Sequence, residues 1–485
     1  MLIFEKSQAQ RHSRALVQKL PSQDLPIPSE HLRVGIPNLP AVSELEVIRH
    51  YTVLSKSNFS IDTNFYPLGS CTMKYNPRAI HRACLQEKVL NRHPLTPPQV
   101  SQGFLGCLYQ LQQDLINITG MTSCSLSPMA GAQGELAGVK MIQAYHQQRK
   151  DFKRTEMIVP SAAHGTNPAS AAMCGYEIRE IPTDAEGDID LEVLAQTVSE
   201  KTAGIMLTNP STLGIFERKI VEVAQIVHKA GGLLYYDGAN LNAILGKARP
   251  GDMGFDVMHV NVHKTFATPH GGGGPGGGPV LANAKLAPYL PIPFVIKAQA
   301  GYRFSTLEDC PDSIGRLSCF MGNAAVMLRA YLYIRMLGQE GLKRVAEIAT
   351  LNANYFMVKA KALGFPLAFP NRLATHEFIV TVAVITKETG VTARDIAKRL
   401  LDFGIHAPTT YFPLLIPECL LIEPTETESK QQLDLALEAL QQIRKEIQET
   451  PDTVKNAPHT LPVKRLDDVK AAKALDLAWH LHEAL

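Results

Sequence analysis

The 485-residue sequence lacks several features that would place it in a particular class of protein. Its 48 basic and 46 acidic side chains leave a net charge of +2, which does not favour a nucleic-acid partner. No apolar run approaches the length needed to span a bilayer, so no membrane association is expected. The first residues show no apolar signal segment. We expect a cytoplasmic protein, although basic residues near Arg11 and Arg14 leave a transit peptide open.

The eight cysteines form no familiar metal-binding or redox pattern. No two are spaced as C-x-x-C and no cysteine–histidine spacing fits zinc, so no metal is expected. Cysteines in a chain of this length are mostly reduced and buried. Cys71 and Cys319 lie close to motifs described below, which leaves a redox role open beside inert packing. P-loop, H-E-x-x-H and G-x-S-x-G signatures are absent, and any glycine run would produce the G-x-G-x-x-G match at 271–276.

Short apolar strands alternate with helices between about residues 156 and 280. The predicted strands are 156–160, 176–181, 203–208, 232–237 and 257–262. Such alternation predicts a parallel sheet covered by helices. Ligands of these sheets bind beyond the carboxyl ends of the strands. The candidate site therefore lies at that edge.

The last of these strands leads into His263 and Lys264, followed by a segment rich in glycine. A lysine at the end of a buried strand loses hydration, which favours the neutral, nucleophilic amine. Schiff-base chemistry requires such an amine. Most lysines are exposed, however, so the position of Lys264 alone does not establish this role.

Polar residues follow other strands as well. His164 comes after the first strand, Asn209 after the third and Asp237 after the fourth. Small residues around Gly131 precede a predicted helix, and the N–H groups at such a helix start can bind phosphate. Each feature has an ordinary structural explanation alone. Their convergence on one edge of the sheet indicates a functional site.

A phosphate site, an aspartate and a strand-end lysine together suggest pyridoxal phosphate. This cofactor needs a lysine for its aldehyde, an acidic partner for its ring nitrogen and a phosphate anchor. Lys264 and Asp237 fit the first two needs. The remaining cofactor contacts are assigned to His164 on the ring face, Asn209 at the ring hydroxyl, Ala239 after the aspartate, and Gly131, Ala132 and Gln133 at the phosphate.

Two further regions flank this sheet. Residues 1–65 are rich in proline and polar side chains and predict an arm with a helical segment near 43–54. The C-terminal part predicts a long helix at 324–362, a strand at 376–385, helices at 392–403 and 423–449, a loop at 408–413 that could close over the site, and a helical tail at 465–485. Acidic residues at 423–428 would suit the dipole of a helix start better than a metal. We expect three regions: the arm and active-site loop at 1–80, a large cofactor domain at 81–325, and a small domain at 326–485.

Eight stretches of the chain resemble the glycine-cleavage-system P-protein family in the form that is split into two subunits. They are PLGSCTMKYN at 67–76, AGAQGE at 130–135, AHGTNPA at 163–169, TNPSTLG at 208–214, YDGAN at 236–240, NVHKTF at 261–266, SIGR at 313–316 and FPLLIPECLLIEPTETES at 412–429. They cover nearly the whole length. The resemblance implies a type I pyridoxal-phosphate (aspartate-aminotransferase-like) α/β fold with a large parallel-sheet domain and a smaller C-terminal α+β domain. It also implies that Lys264 is the Schiff-base lysine, Asp237 the ring-nitrogen partner and His164 the stacking residue.

The reaction that the resemblance implies is the decarboxylation of glycine, with transfer of the aminomethyl group to the lipoyl group of H-protein. His263 or Lys264 would handle protons, with His164 as a third catalytic residue. The implied partner is a first P-protein subunit, in a heterotetramer with two copies of each subunit. Two alternatives stay open. The chain could instead be another type I enzyme, such as an aminotransferase or hydroxymethyltransferase, which an arginine clamp in the site would favour. It could also be a non-catalytic scaffold subunit, which loss of Lys264 or Asp237 would favour.

Overall fold

The computed structural model describes residues 2–8, 27–35, 39–268 and 276–478. The chain forms two compact units, of which one is Ile61–Leu461 and the other is Met1–Ser60 with Pro462–Leu485. The glycine-rich segment 271–275, which carries most of the dinucleotide-like match, lies outside the described residues. None of the helices within the described ranges is long and apolar enough to cross a membrane.

Within residues 2–8, 27–35, 39–60 and 462–478, the smaller unit contains short helices and no strand. Its main element is the helix Glu44–Lys56, which confirms the predicted helical segment near 43–54. The Ser43 side chain accepts the Glu46 amide, and the Glu46 carboxylate accepts the Ser43 amide at 2.9 Å. This reciprocal pair satisfies N–H groups that a helix start leaves unpaired. A second helix, Asp468–Lys473, covers part of the predicted C-terminal helical tail.

The larger unit is built on a seven-stranded sheet. Its strands are β1 Ser123–Ser125, β2 Glu156–Pro160, β3 Glu177–Ile181, β4 Thr202–Thr208, β5 Leu233–Gly238, β6 Val257–Val260 and β7 Val280–Ala282. They are arranged in the order β1-β7-β6-β5-β4-β2-β3, and β3, β2, β4, β5 and β6 run parallel. Only β7 runs antiparallel to its neighbours β1 and β6. The predicted parallel sheet is confirmed.

Helices cover this sheet and continue into the C-terminal part. They are Arg78–Cys84, Glu87–Leu90, Gln102–Thr119, Gly131–Gln148, Thr166–Met173, Leu191–Thr197, Ile220–Lys229, Val262–Thr265, Ala324–Ala362, Ala383–Thr389, Ala393–Asp402, Lys430–Glu449 and Pro451–Lys455. The helix Ala324–Ala362 is interrupted at Gly338, whose φ of 62° and ψ of −172° are not helical. A side chain would strain this conformation, which glycine adopts readily.

Two smaller sheets complete the unit. The first is a hairpin of β8 Val295–Ala298 and β9 Gly301–Phe304. The second contains β10 Phe378–Thr381, β11 Thr409–Thr410 and β12 Cys419–Ile422 in the antiparallel order β10-β12-β11. One hydrophobic core packs on the large sheet around Leu111 and Tyr236, and another packs on the small sheet around Phe356 and Ile443. The domain boundaries at residues 80 and 325 stay a prediction.

Three predicted elements are wrong in their extent. The strand predicted at 257–262 ends at Val260, and His263 and Lys264 lie on the helical turn Val262–Thr265. The strand predicted at 376–385 is β10 followed by the helix Ala383–Thr389. A short apolar run does not distinguish a strand from a buried helix, which explains both errors.

The third error concerns the acidic segment 423–428. The helix predicted to begin there begins at Lys430, where the Ser429 side chain accepts the Gln432 amide at 3.2 Å. The acidic residues therefore precede the helix and do not interact with its first turn. Glu423 directly follows β12 and is fully buried. Its contacts give it a different role, described below.

Candidate active site

A cavity of about 460 Å³ opens at the carboxyl ends of the parallel strands. Seven of the nine predicted site residues line this cavity. They are Gly131, Ala132, His164, Asp237, Ala239, His263 and Lys264. A larger cavity of about 690 Å³ lies elsewhere, between Ile118 and Leu342. Its charged side chains include the pairs Arg335–Asp114 and Arg249–Asp252, which neutralise each other. We therefore assign the candidate active site to the cavity at the strand ends.

Asp237 is the second-last residue of the buried strand β5 and lines this cavity. One carboxylate oxygen accepts the Ala239 amide at 3.0 Å, and the other accepts the Asn167 side-chain amide at 3.1 Å. Burial acts to raise the pKa of Asp237, but His259, Asn167 and Lys264 together bring this pKa below its ordinary value. Asp237 is thus a buried anion at neutral pH, as a partner of a protonated ring nitrogen must be.

His259 lies behind Asp237 in the neighbouring strand β6. Its Nδ1 is 2.5 Å from the Tyr235 hydroxyl, and its Nε2 is 3.5 Å from Asp237 Oδ1. Burial raises the pKa of Tyr235 well above its ordinary value, so the hydroxyl stays protonated and donates a hydrogen bond to Nδ1. The histidine proton must then be on Nε2, where it points toward the aspartate.

Glu135 is a second carboxyl group in the cavity wall, and the sequence analysis gave it no role. It accepts the Thr166 hydroxyl at 2.8 Å and the Asn167 side-chain amide at 2.9 Å. Burial, followed by the negative charge of Asp237, raises the pKa of Glu135 to about 7. One carboxyl group of this pair is thus an anion and the other can hold a proton near neutrality. The motif AGAQGE contains Glu135 and could have identified it.

The N-terminus of the helix Gly131–Gln148, which also carries Glu135, forms another part of the wall. The first hydrogen bond of this helix runs from the Gly134 amide to the Ala130 carbonyl at 3.0 Å, so the preceding amides have no partner within the helix. A Cβ atom at Gly131 would collide with the Asn261 side-chain oxygen. That buried oxygen has no hydrogen-bond partner among the described residues. The wall is suited to an anion such as phosphate.

Gln133 lies on this helix but does not line the cavity. Its side-chain oxygen accepts the Met129 amide at 2.7 Å, and its side-chain nitrogen donates to the Leu317 carbonyl at 3.2 Å. The side chain therefore holds the helix start in place. Its backbone amide precedes the first hydrogen bond of the helix and therefore has no partner within the helix.

Asn209 is the other predicted site residue that does not line the cavity. Its side-chain oxygen accepts the Glu217 amide at 3.0 Å, and its carbonyl accepts the Tyr236 hydroxyl. The preceding residue, Thr208, does line the cavity, and its buried hydroxyl has no partner among the described residues. Thr208 is therefore better placed than Asn209 to contact a ligand.

His164 lines the cavity on its third side. Its Nδ1 is 2.8 Å from the Thr166 hydroxyl, and its ring centroid is 5.6 Å from that of Phe412. Burial lowers the pKa of His164, so the ring is neutral at pH 7. Phe412 belongs to the segment 408–413, which was predicted as a loop but contains strand β11 at Thr409–Thr410. Phe412 lies next to His164 and does not line the cavity, so closure of this segment over the site stays a prediction.

Lys264 and His263 lie on the helical turn that follows β6. The turn begins with a hydrogen bond from the Lys264 amide to the Asn261 carbonyl at 3.0 Å, and His263 Nδ1 accepts the Gly277 amide at 3.4 Å. The buried Lys74 ammonium donates to the Thr265 carbonyl at 2.6 Å, next to Lys264. The loop that contains Lys74 is therefore tied directly to the turn that carries Lys264.

Comparisons with known proteins give the family of this chain. The family model described as glycine cleavage system P-protein matches residues 16–296, and the one described as glycine dehydrogenase, C-terminal domain, matches residues 345–463. A Coxiella burnetii (strain CbuK_Q154) protein named probable glycine dehydrogenase (decarboxylating) subunit 2 is 65% identical over 482 residues, covering 99% of this chain and 98% of the relative. A Legionella pneumophila (strain Lens) protein of the same name is 62% identical over 479 residues, covering 99% of each.

Solved structures share the fold at low sequence identity. An inhibitor-bound crystal structure of glycine decarboxylase (P-protein) of the glycine cleavage system has a TM-score of 0.72 and 20% identity, covering 86% of this chain and 93% of that one. Lactobacillus brevis glutamate decarboxylase has a TM-score of 0.67 and 13% identity, covering 89% and 96%. These similarities confirm the predicted type I pyridoxal-phosphate fold.

Proposed function

Because the chain belongs to the glycine cleavage system P-protein family, we propose that it decarboxylates glycine and transfers the remaining aminomethyl group to the lipoyl group of H-protein. The observation that carries this proposal is the cavity at the strand ends. There, Lys264, the buried anion Asp237 and the helix start at Gly131 line one space. These are the three groups that the family's chemistry needs.

Pyridoxal phosphate is the proposed cofactor, and the residues present fit it. Asp237 offers a buried negative charge for the ring nitrogen, and the amides near Gly131 and Ala132 offer a phosphate site. The Thr208 hydroxyl and the Asn261 oxygen are buried polar atoms without partners among the described residues. Bound here, the cofactor would supply an electron sink for the pair released from the Cα–carboxyl bond of the substrate.

The side chains of this chain have separate tasks in that reaction. The Lys264 amine would hold the cofactor at its aldehyde, and Lys264 or His263 would transfer protons during the reaction. Asp237 would keep its charge beside the ring nitrogen, with His259 at 3.5 Å from its carboxylate. The neutral His164 would cover the ring face. Glu135, whose pKa is about 7, can hold a proton close to Asp237.

The proposed partners follow from the family. The substrate is glycine, and the acceptor is the lipoyl group of H-protein. The relatives are named as subunit 2 of their enzyme, which supports a first P-protein subunit as partner. The heterotetramer with two copies of each subunit and the cytoplasmic location stay predictions from the resemblance.

Two alternative functions are less well supported. An aminotransferase acting on a dicarboxylic substrate would use an arginine clamp, and the described residues that line the cavity include no arginine. A non-catalytic scaffold subunit would not need Lys264 and Asp237, yet both side chains face the cavity.

The experiment that tests the function is the exchange of labelled CO2 into the carboxyl group of glycine. The assay contains the chain, pyridoxal phosphate, lipoylated H-protein and the first subunit. We expect exchange that requires H-protein. Absence of exchange with all components present, while the cofactor binds, would contradict the proposed reaction and leave only the fold.

A further inference from the structure

Two buried carboxyl groups lie outside the cavity walls, at the end of the small sheet. Glu377 precedes β10 and Glu423 follows β12, and the antiparallel register pairs Phe378 with Ile422. The next pair in this ladder is therefore Glu377 opposite Glu423. Both side chains are fully buried, and atoms of both lie within 4.8 Å of each other and of His376.

Each carboxyl group accepts a backbone amide from the same loop. The Ser70 amide donates to Glu377 at 2.6 Å, and the Thr72 amide donates to Glu423 at 3.0 Å. The two loop residues have positive φ angles of 65° and 50°. Such angles are uncommon for residues other than glycine and persist only where the surroundings impose them. The hydrogen bonds that the two carboxyl groups accept therefore help to hold the loop in this conformation.

The loop connects this carboxyl pair to the active site. Ser70 lines the cavity that also contains Lys264. At its other end, the Lys74 ammonium contacts the Thr265 carbonyl and the Glu426 carboxylate, each at 2.6 Å. The loop therefore spans from the small sheet to the turn that carries Lys264.

The pKa shifts of Cys71, Glu377 and Glu423 are those expected where this loop packs against the carboxyl pair and Lys264. Burial raises the pKa of the Cys71 thiol to about 11, and the charges of Lys264, Glu423 and Glu377 all act on it. Burial also raises the pKa of Glu423 to about 7 and that of Glu377 well above its ordinary value. Two carboxyl groups this close do not both ionise at neutral pH, so the pair holds a proton.

We propose that Glu377 and Glu423 are positioning residues that hold the loop Ser70–Thr72 as a wall of the active-site cavity and thereby set the affinity for glycine. They do not line the cavity and act through the loop. The substrate in this statement rests on the proposed function, whereas the loop contacts do not.

The test measures how fast iodoacetamide labels Cys71, followed by peptide mapping. Cys71 lies between the two held residues and is half-buried with a raised pKa, so labelling of the native chain is slow. In Glu377→Ala and Glu423→Ala we expect labelling roughly tenfold faster, because each removes a buried hydrogen bond that holds the loop. Glycine KM should rise in the same variants, while kcat changes less.

The matched control is Glu418→Ala, at the opposite end of β12. Glu418 also accepts a backbone amide, that of Ala393 at 2.8 Å, but it does not contact the loop. The variants Glu377→Asp and Glu423→Asp retain the charge and withdraw the acceptor by one bond, and they replace the alanine variants if those do not fold. Wild-type labelling in the Asp or Ala variants, or equal acceleration in the control, would overturn the proposal.

These outcomes separate the two proposals. Labelling of Cys71 is measured without cofactor or substrate, so it tests the loop even if glycine is not the substrate. Faster labelling with unchanged glycine KM would overturn the role in affinity, and a chain that does not act on glycine at all would overturn only the proposed function.

Discussion

Two clusters in the larger unit each combine two carboxyl groups with a histidine, but they differ in their electrostatics. Glu135, Asp237 and His259 meet at the large sheet, and Glu377, Glu423 and His376 meet at the small one. In the first cluster, burial acts to raise the pKa of Asp237, but His259, Asn167 and Lys264 bring it below its ordinary value, whereas burial raises the pKa of Glu135 to about 7. In the second, the pKa of both carboxyl groups is raised.

The difference lies in access to the cavity and in the loop that the carboxyl groups contact. Asp237 accepts the Asn167 side-chain amide and the Ala239 backbone amide and lines the same cavity as Lys264. Glu377 and Glu423 accept backbone amides from the loop Ser70–Thr72 and do not line that cavity. Two acids and a histidine therefore do not define a catalytic group by themselves. The first cluster is suited to stabilise charge in a reaction, and the second to hold a backbone.

The largest expected effect is on the lysine that faces the first cluster. Lys264→Ala should lower glycine–CO2 exchange by about a thousandfold or more, because it removes the amine that binds the cofactor aldehyde. The matched control is Lys247→Ala, which removes a half-exposed lysine paired with Glu347. Normal exchange by Lys264→Ala would contradict the assignment of the site.

The next effect compares one carboxyl group from each cluster. Asp237→Asn should lower kcat about a hundredfold or more, since it removes a preorganised buried charge. Glu377→Gln should lower kcat by less than about tenfold, because the glutamine oxygen can still accept the Ser70 amide. Steady-state kinetics on both variants, with cofactor occupancy checked by absorbance, measures the contrast. Equal losses of kcat in Asp237→Asn and Glu377→Gln would contradict the different roles assigned to the two clusters.

The two histidines provide a smaller contrast. His259→Gln should shift the acidic limb of the activity profile to higher pH, by about tenfold in proton concentration for each unit by which the pKa of Asp237 rises, because His259 acts to lower that pKa. His376→Gln should change activity little, since His376 Nε2 lies 3.7 Å from Glu377 and does not line the cavity. Activity measured from pH 5 to 8 would show an altered acidic limb only for the first variant.

The smallest effect concerns stability and pH. The pKa of Glu135 rises from an ordinary value of 4.5 to about 7 in the folded chain. Between these values the folded state keeps a proton that the unfolded state has lost, so this group lowers the free energy of unfolding as pH rises from about 4.5 to about 7. Glutamine does not titrate, so the free energy of unfolding of Glu135→Gln should fall less over this pH range than that of the wild type, with a difference of about a few kcal/mol at most.

Denaturant unfolding of the cofactor-free wild type and Glu135→Gln at pH 5 and pH 7.5 checks this. The comparison uses the change between the two pH values within each protein, so an overall loss of stability in the variant does not affect it. Identical pH dependence in both proteins would show that Glu135 titrates normally.

The cavity at the strand ends was far more predictable from the sequence than the second cluster, although Asp237 is the only member of the first cluster that was predicted as a site residue. Strand alternation predicts a parallel sheet, and its strand ends must meet at one edge, which placed His164, Asp237 and Lys264 correctly around one cavity. Side-chain direction was less predictable. Asn209 and Gln133 lie where expected along the chain, but their side chains hydrogen-bond elsewhere.

The second cluster could not be predicted from local patterns. Its hydrogen bonds join Ser70 to Glu377 and Thr72 to Glu423, which are 307 and 351 positions apart in the sequence. The acidic run at 423–428 suited a helix start, and nothing local to it indicates a distant loop. Only the register of β10 with β12 brings the two glutamates together.

The measurement that tests the central claim most directly is borohydride reduction of the purified chain with pyridoxal phosphate, followed by peptide mapping. If the cavity at the strand ends is the cofactor site, a pyridoxyl group will be attached to Lys264. A label on Lys74 or on surface lysines, or no label even with the first subunit present, would contradict this account of the site.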